Sequence, residues 1–270
     1  MNTLKVVVNG ALGRMGQEVL GALCRDPVLE AVAGVDIKAE SGELHLPDSF
    51  RPIPLLTSLE PALECYQPHV MVDFSNANAA MPAIRIAAKH SVGLVIGTTG
   101  LSAEDLEEIK DLCREHTIGA VVAPNFSLAA AVMIHLAKIA ARFFDSAEII
   151  ELHHDRKADA PSGTALATAM AMIESKGEAF SHTAAAGESI GGSRGGVLEG
   201  IALHSVRLPG MLAHQEIILG APGETLRIRL DQISREAFMP CVVLAVKKVV
   251  ELKEAVFGLS ELLGVEMESC

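Results

Sequence analysis

Residues 5–16 read Lys5-Val6-Val7-Val8-Asn9-Gly10-Ala11-Leu12-Gly13-Arg14-Met15-Gly16. The valine run is the kind of short β-branched segment that is buried as a strand. Glycine follows almost at once, and the pattern G-x-x-G-x-x-G then opens a helical periodicity over Met15 to Cys24. A strand that turns through glycine into a helix presents backbone N–H groups at the helix N-terminus, where a pyrophosphate can approach. The spacing differs from the more familiar G-x-G-x-x-G, so the loop alone is weak evidence. Asp36 lies 20 residues after Gly16, at the end of a second expected strand, Ala31 to Val35. A carboxylate there accepts hydrogen bonds from an adenosine ribose. Loop and carboxylate together predict a nicotinamide dinucleotide site. Asp36 favours NADH by repelling a 2′-phosphate, and Lys38 offsets that repulsion, so both NADH and NADPH are expected.

The alternation continues outward from this unit. Strands are expected at His69 to Asp73, Val92 to Ile96 and Ile118 to Val122, separated by helical stretches near Ala79 to His90 and Ala103 to Arg114. Such alternation predicts a parallel sheet with helices on both faces, an α/β domain whose ligands bind at the carboxyl ends of the strands. Three further loops fall at those ends: Asp73-Phe74-Ser75, Gly97-Thr98-Thr99-Gly100 and Ala123-Pro124-Asn125-Phe126-Ser127.

Past residue 128 the pattern changes. A helix over Leu128 to Phe144 leads to a strand, Ala147 to Leu152, a helix from about Ser162 to Ser175, and a glycine-rich stretch, Gly187 to Gly200. That stretch reads either as a mobile surface loop or as a lid carrying Arg194 as an anion contact. Ile201 to Val206, Gln215 to Leu219 and Thr225 to Leu230 then read as strands of a mixed, mostly antiparallel sheet, an α+β arrangement. A last amphipathic helix, Glu236 to Leu252, is expected to pack back on the first domain. The domains are thus read as 1–128 with 236–270, and 129–235.

Composition narrows the function. The 270 residues are 50% hydrophobic and 21% charged, a globular balance. The net charge of −12 repels polyanions and anionic membranes, and with no Trp and one Tyr the chain offers few stacking platforms. Neither a nucleic-acid nor a membrane partner is expected. Cys24, Cys65, Cys113, Cys241 and Cys270 form no C-x-x-C pair and read as reduced thiols of a cytoplasmic protein rather than a disulfide frame or metal site. The N-terminus lacks the pattern of a signal peptide.

The chemistry concentrates in Glu151-Leu152-His153-His154-Asp155-Arg156-Lys157-Ala158-Asp159-Ala160-Pro161-Ser162-Gly163-Thr164-Ala165. His153 and His154 close a strand, Arg156 and Lys157 follow in the turn, and Pro161 suits the first turn of a helix. Ser162, Gly163 and Thr164 would then present unpaired N–H groups and a hydroxyl. A cationic corner ending in a helix N-terminus suits a carboxylate, and imidazoles beside it suit proton transfer to a small acid. On the residues alone the chain is a nicotinamide oxidoreductase of a small anion. Another dehydrogenase of an amino or keto acid, or a non-catalytic nicotinamide-binding regulator, stays open.

The glycine loop, Gly97-Thr98-Thr99, Ala123 to Ser127 and above all the run from Glu151 to Ala165 resemble the dihydrodipicolinate reductase family, also called 4-hydroxy-tetrahydrodipicolinate reductases, over nearly the whole chain. The resemblance implies a Rossmann-type doubly wound parallel sheet, a second domain for substrate binding and oligomerisation, and a homotetramer. It also implies NAD(P)H-dependent reduction of a cyclic dicarboxylate imine on the diaminopimelate route to lysine. By position it makes His153 the proton donor or acceptor and Lys157 a proton donor, and it gives the substrate carboxylates to His154, Gly163 and Thr164. The cofactor would lie against Gly10, Ala11, Leu12, Gly13, Arg14, Met15, Asp36, Lys38, Gly97, Thr98, Thr99, Ala123, Pro124, Asn125 and Phe126. No metal is implied. Ile37 stands where many members carry arginine, and residues 208–216 depart from the family pattern apart from His214.

Overall fold

The computed structural model describes residues 3–40, 42–46, 51–183 and 187–264. Cys270 lies outside them. The valine run forms the centre of β1 (Leu4–Asn9), and glycine turns it into α1 (Arg14–Arg25). The chain continues through β2 (Leu29–Val35), β3 (Glu43–Leu44), β4 (Ile53–Leu56), α2 (Leu59–Tyr66), β5 (Val70–Asp73), α3 (Ala77–Lys89), β6 (Gly93–Ile96), α4 (Ala103–His116) and β7 (Ala120–Val122). Next come α5 (Leu128–Ala141), β8 (Ser146–His153), α6 (Gly163–Lys176), β9 (Gly196–Leu198), β10 (Ile201–Arg207), β11 (Ala213–Ala221) and β12 (Glu224–Gln232). A 3₁₀ turn (Arg235–Phe238), α7 (Met239–Val249), β13 (Ala255–Phe257) and α8 (Leu259–Leu263) follow. These elements divide into two units, Met1–Phe126 with Phe238–Cys270, and Ser127–Ala237.

The first unit is built on an eight-stranded sheet of order β13-β7-β6-β5-β1-β2-β4-β3. Its strands run parallel except at the β3–β4 edge. Val6, Val7, Val8, Val70, Met71, Val72, Leu94, Val95 and Ile96 have no exposed surface, as expected for strands covered on both faces. Helix α7 packs against α1 and against β5, β6 and β7.

The second unit carries a five-stranded sheet, β12-β11-β8-β10-β9, in which only the β8–β10 pair is parallel. Alternation along β8 buries Ala147, Ile149 and Glu151 and leaves Glu148, Ile150 and Leu152 half-buried. The buried face meets Met133 and Ala137 of α5 and Ala165, Ala169 and Met172 of α6 in one core. Pro222-Gly223 closes the β11–β12 hairpin, with Ala221 opposite Glu224 and Gly223 at φ +89°, the left-handed conformation that the second turn residue after proline requires.

Several elements depart from the sequence reading. The expected helix to Phe144 ends at Ala141, and the expected terminal helix begins as a 3₁₀ turn and becomes α-helical only at Met239, with Pro240 in its first turn, where no N–H is needed. Pro161 lies outside α6, because Ser162 is the N-cap; the Ala160–Pro161 peptide is cis. The stretch Gly187–Gly200 contains β9 and a turn held by Glu188, whose carboxylate accepts from the Gly192 and Arg194 N–H groups at 2.7 and 3.3 Å. Arg194 itself reaches Glu148 at 3.3 Å.

Ile149 is fully buried in the second core. Ile149→Ala is expected to lower stability by about 2–5 kcal/mol through lost transfer energy and a residual cavity, read as a fall in the denaturation midpoint, while Ile190→Ala, at a 76% exposed position, leaves it in place.

Candidate active site

In the first unit the strand ends are tied together by one carboxylate. Asp73, fully buried at the end of β5, accepts from Asn9 Nδ2 at 2.6 Å, from Ser75 N at 3.1 Å, from the Ser75 hydroxyl at 2.9 Å and from the Thr98 hydroxyl. Gly97 N donates to the Asp73 carbonyl, and Ala123 N to that of Ile96. The loops after β1, β5, β6 and β7 are thereby brought into register. Gly10 sits at φ +81°, and a Cβ there would lie 2.7 Å from the Phe74 carbonyl oxygen. A Cβ at Gly16 would lie 2.2 Å from the Gly10 oxygen, so α1 can close on the turn only through glycine.

The start of α1, like those of α2, α7 and α8, has no side-chain cap. Side chains of Asn76, Ser102, Ser127 and Ser162 cap α3, α4, α5 and α6, whereas Gly13 caps α1 with no side-chain hydrogen bond. That leaves its first turn available to an anion. The Asp36 carboxylate accepts from Leu12 N at 3.1 Å and from Lys38 N at 2.9 Å, which fixes it beside the glycine turn. Among the described residues, the side chains of Arg14 and Lys38, both exposed, have no ion-pair partner.

The remaining residues of this expected set divide by exposure. Leu12, Gly13, Arg14, Thr99 and Pro124 are exposed, Met15, Gly97 and Asn125 are half-buried, and Ala11, Ala123 and Phe126 are buried. The Phe126 ring lies against Phe74, with centroids 5.9 Å apart.

In the second unit, Glu151 and His153 are two residues apart on β8 and share a face. Glu151 is 1% exposed. Its Oε1 accepts from Arg207 Nη2 at 2.7 Å and from Ser162 N at 3.2 Å; its Oε2 accepts from Arg207 Nη1 at 2.9 Å and contacts His153 Nδ1. Arg207 stands beside His153 in the parallel β10–β8 register and also donates to the Asp159 carbonyl at 2.6 Å. The N–H of Ser162 is therefore engaged, contrary to the expectation that it stood unpaired, and its hydroxyl caps α6 through Ala165 N. Lys157 pairs with Asp159 at 2.7 Å. Gly163 is exposed at the helix start with Thr164 half-buried beside it. Nδ1 of His154 is buried without a partner among the described residues, and an orphaned polar atom costs about 1–3 kcal/mol unless a ligand satisfies it.

Arg207 was absent from the sequence reading. Its only signal was a cation closing an alternating strand.

Burial pushes the His153 pKa below its ordinary value, and the Lys157 and Arg207 charges add to this against the opposing pull of Glu151. Burial would raise the Glu151 pKa, but hydrogen bonds from Arg207, Ser205 and His153 outweigh it and hold the carboxyl low. Burial raises the Cys113 thiol to about 11. None of the four described cysteines forms a disulfide, and no group of three or more His, Cys, Asp or Glu among the described residues could hold a metal. No helix of the described residues is long and apolar enough to cross a membrane.

A doubly wound domain with this glycine turn and a carboxylate at the end of β2, continuous with a domain bearing a histidine-lysine corner, defines an NAD(P)H-dependent oxidoreductase. Residues 4–126 match the dihydrodipicolinate reductase N-terminal family and residues 129–263 its C-terminal family. The 4-hydroxy-tetrahydrodipicolinate reductases of Dehalococcoides mccartyi and Moorella thermoacetica are 56% and 46% identical to it, each over 97% of this chain and 99% and 98% of their own lengths. A dipicolinate-bound dihydrodipicolinate reductase from Paenisporosarcina sp. TG-14 superposes with a TM-score of 0.83 at 35% identity, covering 95% of this chain and 98% of that one. An amine dehydrogenase from Mycobacterium smegmatis, at 16% identity and TM-score 0.64, shares the fold. The chain belongs to the dihydrodipicolinate reductase family, whose members use NADH or NADPH.

The two shifted groups give stability a defined pH dependence. The folded-state pKa of His153 lies below the unfolded value of about 6.5, so between the two the unfolded chain binds more protons and stability rises with pH. Glu151 has the same sign: its contribution is present above about pH 4.3 and lost as pH falls through its lower folded value. The melting temperature is expected to fall on acidification from pH 7, and His153→Gln to flatten the part of that slope just below about pH 6.5, measured by calorimetry across a pH series.

Proposed function

We propose that this chain is a 4-hydroxy-tetrahydrodipicolinate reductase, reducing a cyclic imine that carries two carboxylates to tetrahydrodipicolinate in the synthesis of diaminopimelate and lysine. The observation that carries the reading is the corner where the buried Glu151 holds His153 and the start of α6, with Lys157 paired to Asp159 in the loop between them.

The first unit fits a dinucleotide. The glycine turn leaves the start of α1 without a side-chain cap, which suits a pyrophosphate, and Asp36, fixed beside that turn, suits ribose hydroxyls. We assign Gly10–Met15, Asp36, Lys38, Gly97–Thr99 and Ala123–Phe126 to this role. Of these, Thr98, Ala123 and Phe126 act by shaping the loops, since the Thr98 hydroxyl is bound to Asp73 and Ala123 and Phe126 are buried. When bound, NADH or NADPH supplies a hydride.

In the second unit, His154, Gly163 and Thr164 hold the substrate carboxylates. The unpartnered His154 Nδ1 and the exposed Gly163 at the start of α6 support this. Once the conjugated imine has been reduced at C4, the enamine that remains needs one proton. His153, whose pKa is lowered in the substrate-free protein, takes up a proton as the two substrate carboxylates raise its proton affinity and delivers it, with Lys157 as the second donor and as a positive charge facing the dianionic substrate.

We also place the protein in the cytoplasm as a homotetramer. The lack of a disulfide among the described cysteines supports the first. The half-buried Glu148, Ile150 and Leu152, alternating with the buried residues of β8 on the other face of the five-stranded sheet, support the second.

The test is the loss of absorbance of NADH and of NADPH with freshly generated cyclic substrate. Wild-type turnover with either cofactor is expected. His153→Gln is expected to lower kcat about 10²-fold or more with the NADH dissociation constant little changed. Wild-type turnover by that variant would remove His153 from the chemistry, and no turnover by the wild type would sink the reductase reading.

A further inference from the structure

Glu151 is not among the residues that touch the substrate in the reading above, yet the corner is organised around it. Each of its carboxylate oxygens already holds two donors: Arg207 Nη2 and Ser162 N on Oε1, Arg207 Nη1 and His153 Nδ1 on Oε2. An ionised carboxylate only accepts hydrogen bonds, so the imidazole nitrogen that meets it must carry a proton. We propose that Glu151 is the positioning residue for His153, fixing the Nδ1–H tautomer so that Nε2 is the nitrogen that exchanges a proton, with Arg207 keeping the carboxylate charged and in place. The proposal rests on the role given to His153 above and deepens it.

The geometry follows from the chain. Residues two apart on β8 point the same way, so Glu151 lies beneath His153 on the face that meets α6. Arg207 closes β10 directly beside His153. Its planar fork meets both oxygens at once, and its Nη2 also holds the Asp159 carbonyl at 2.6 Å. One buried carboxylate therefore fixes the imidazole on β8, the loop carrying Lys157 and Asp159, and the first turn of α6 through Ser162. Nε2 of His153 has no hydrogen bond among the described residues, which is what a nitrogen reserved for proton exchange requires.

The charged groups facing His153 act with opposite signs. Glu151 on its own strand favours the imidazolium, whereas Lys157 of the following loop and Arg207 of β10 oppose it; Asp159 faces Lys157 and so moderates its charge. A carboxylate that merely propped up the fold would leave the ring's tautomer unset, whatever its charge does to the titration. A positioning carboxylate cannot.

The experiment uses the full chain with ¹⁵N-labelled histidine, the His153 signals being assigned by their loss in His153→Gln. The wild-type protein is expected to show Nδ1 protonated and Nε2 bare above the titration midpoint. Glu151→Gln is expected to move the midpoint down by about one unit and Arg207→Gln to move it up. At neutral pH kcat for Glu151→Gln should fall about tenfold, with KM for NADH unchanged. A dominant Nε2–H tautomer in the wild type overturns the proposal, as do midpoints that stay put in both variants or shift together. If the variants do not fold, the wild-type tautomer alone decides. These spectra need no turnover, so an inactive wild type would remove the reductase reading and leave the positioning role standing.

Discussion

A carboxylate withdrawn from water must be met by donors on every side, because its desolvation otherwise costs more than any packing returns. Two side chains impose that requirement here, one in each unit. Asp73 gathers Asn9, Ser75 and Thr98 from the ends of β1, β5 and β6, and Glu151 gathers His153, Ser162 and Arg207 from β8, α6 and β10. A charge-assisted hydrogen bond contributes about 1.5–3 kcal/mol, so either cluster rivals a large apolar side chain in the core. Unlike apolar packing, it is directional. It sets where a loop ends to within a hydrogen bond's tolerance, which a catalytic corner needs and a core does not.

The same requirement explains which parts of the molecule were legible in the sequence. Elements whose signal is local were read: the valine run of β1, the glycine turn, and the alternation of β10, β11 and β12. Elements held only by their neighbours were not. β4 is four residues long and contains Pro54, yet Leu55 and Leu56 extend the sheet beside Gly34 and Val35 while Pro54 faces the edge strand β3, a position where a missing N–H is tolerated. β13 is three residues long and takes its place from pairing with β7. The helix breaks at Ala141 and Phe238 lie within runs whose apolar periodicity continues past them, so periodicity overran both.

At the candidate site, the residues proposed to meet ligands carry recognisable chemistry, and the residues that hold them in place do not. Histidine, lysine and the serine-glycine-threonine start of a helix are conspicuous in one short segment. Arg207 is 56 positions from Glu151 and is one of several arginines that close or line a strand; only the parallel register of β8 and β10 makes it a partner. Thr98 shows the converse. Its hydroxyl reads as a ligand contact in sequence, and in the fold it is the donor that lets Asp73 be buried. A buried carboxylate thus recruits polar residues that the sequence alone assigns to binding, and hides its cation in a distant strand.

The two clusters differ in what they leave free. Around Asp73 the described donors end on the carboxylate, so the result is a rigid set of loop ends. Around Glu151 one donor, His153, has a second nitrogen on the far side of its ring, so holding Nδ1 orients Nε2 as well. Arg207 stabilises that arrangement at a cost to imidazole basicity, since its charge opposes protonation while the carboxylate favours it. With burial added, the balance lies on the side of the neutral ring. If His153 is the general acid proposed above, it must be protonated at the moment of use, and two carboxylates bound beside it would raise its proton affinity. On that proposal, arrival of a dianion, rather than the resting enzyme, sets the protonation that the reaction consumes.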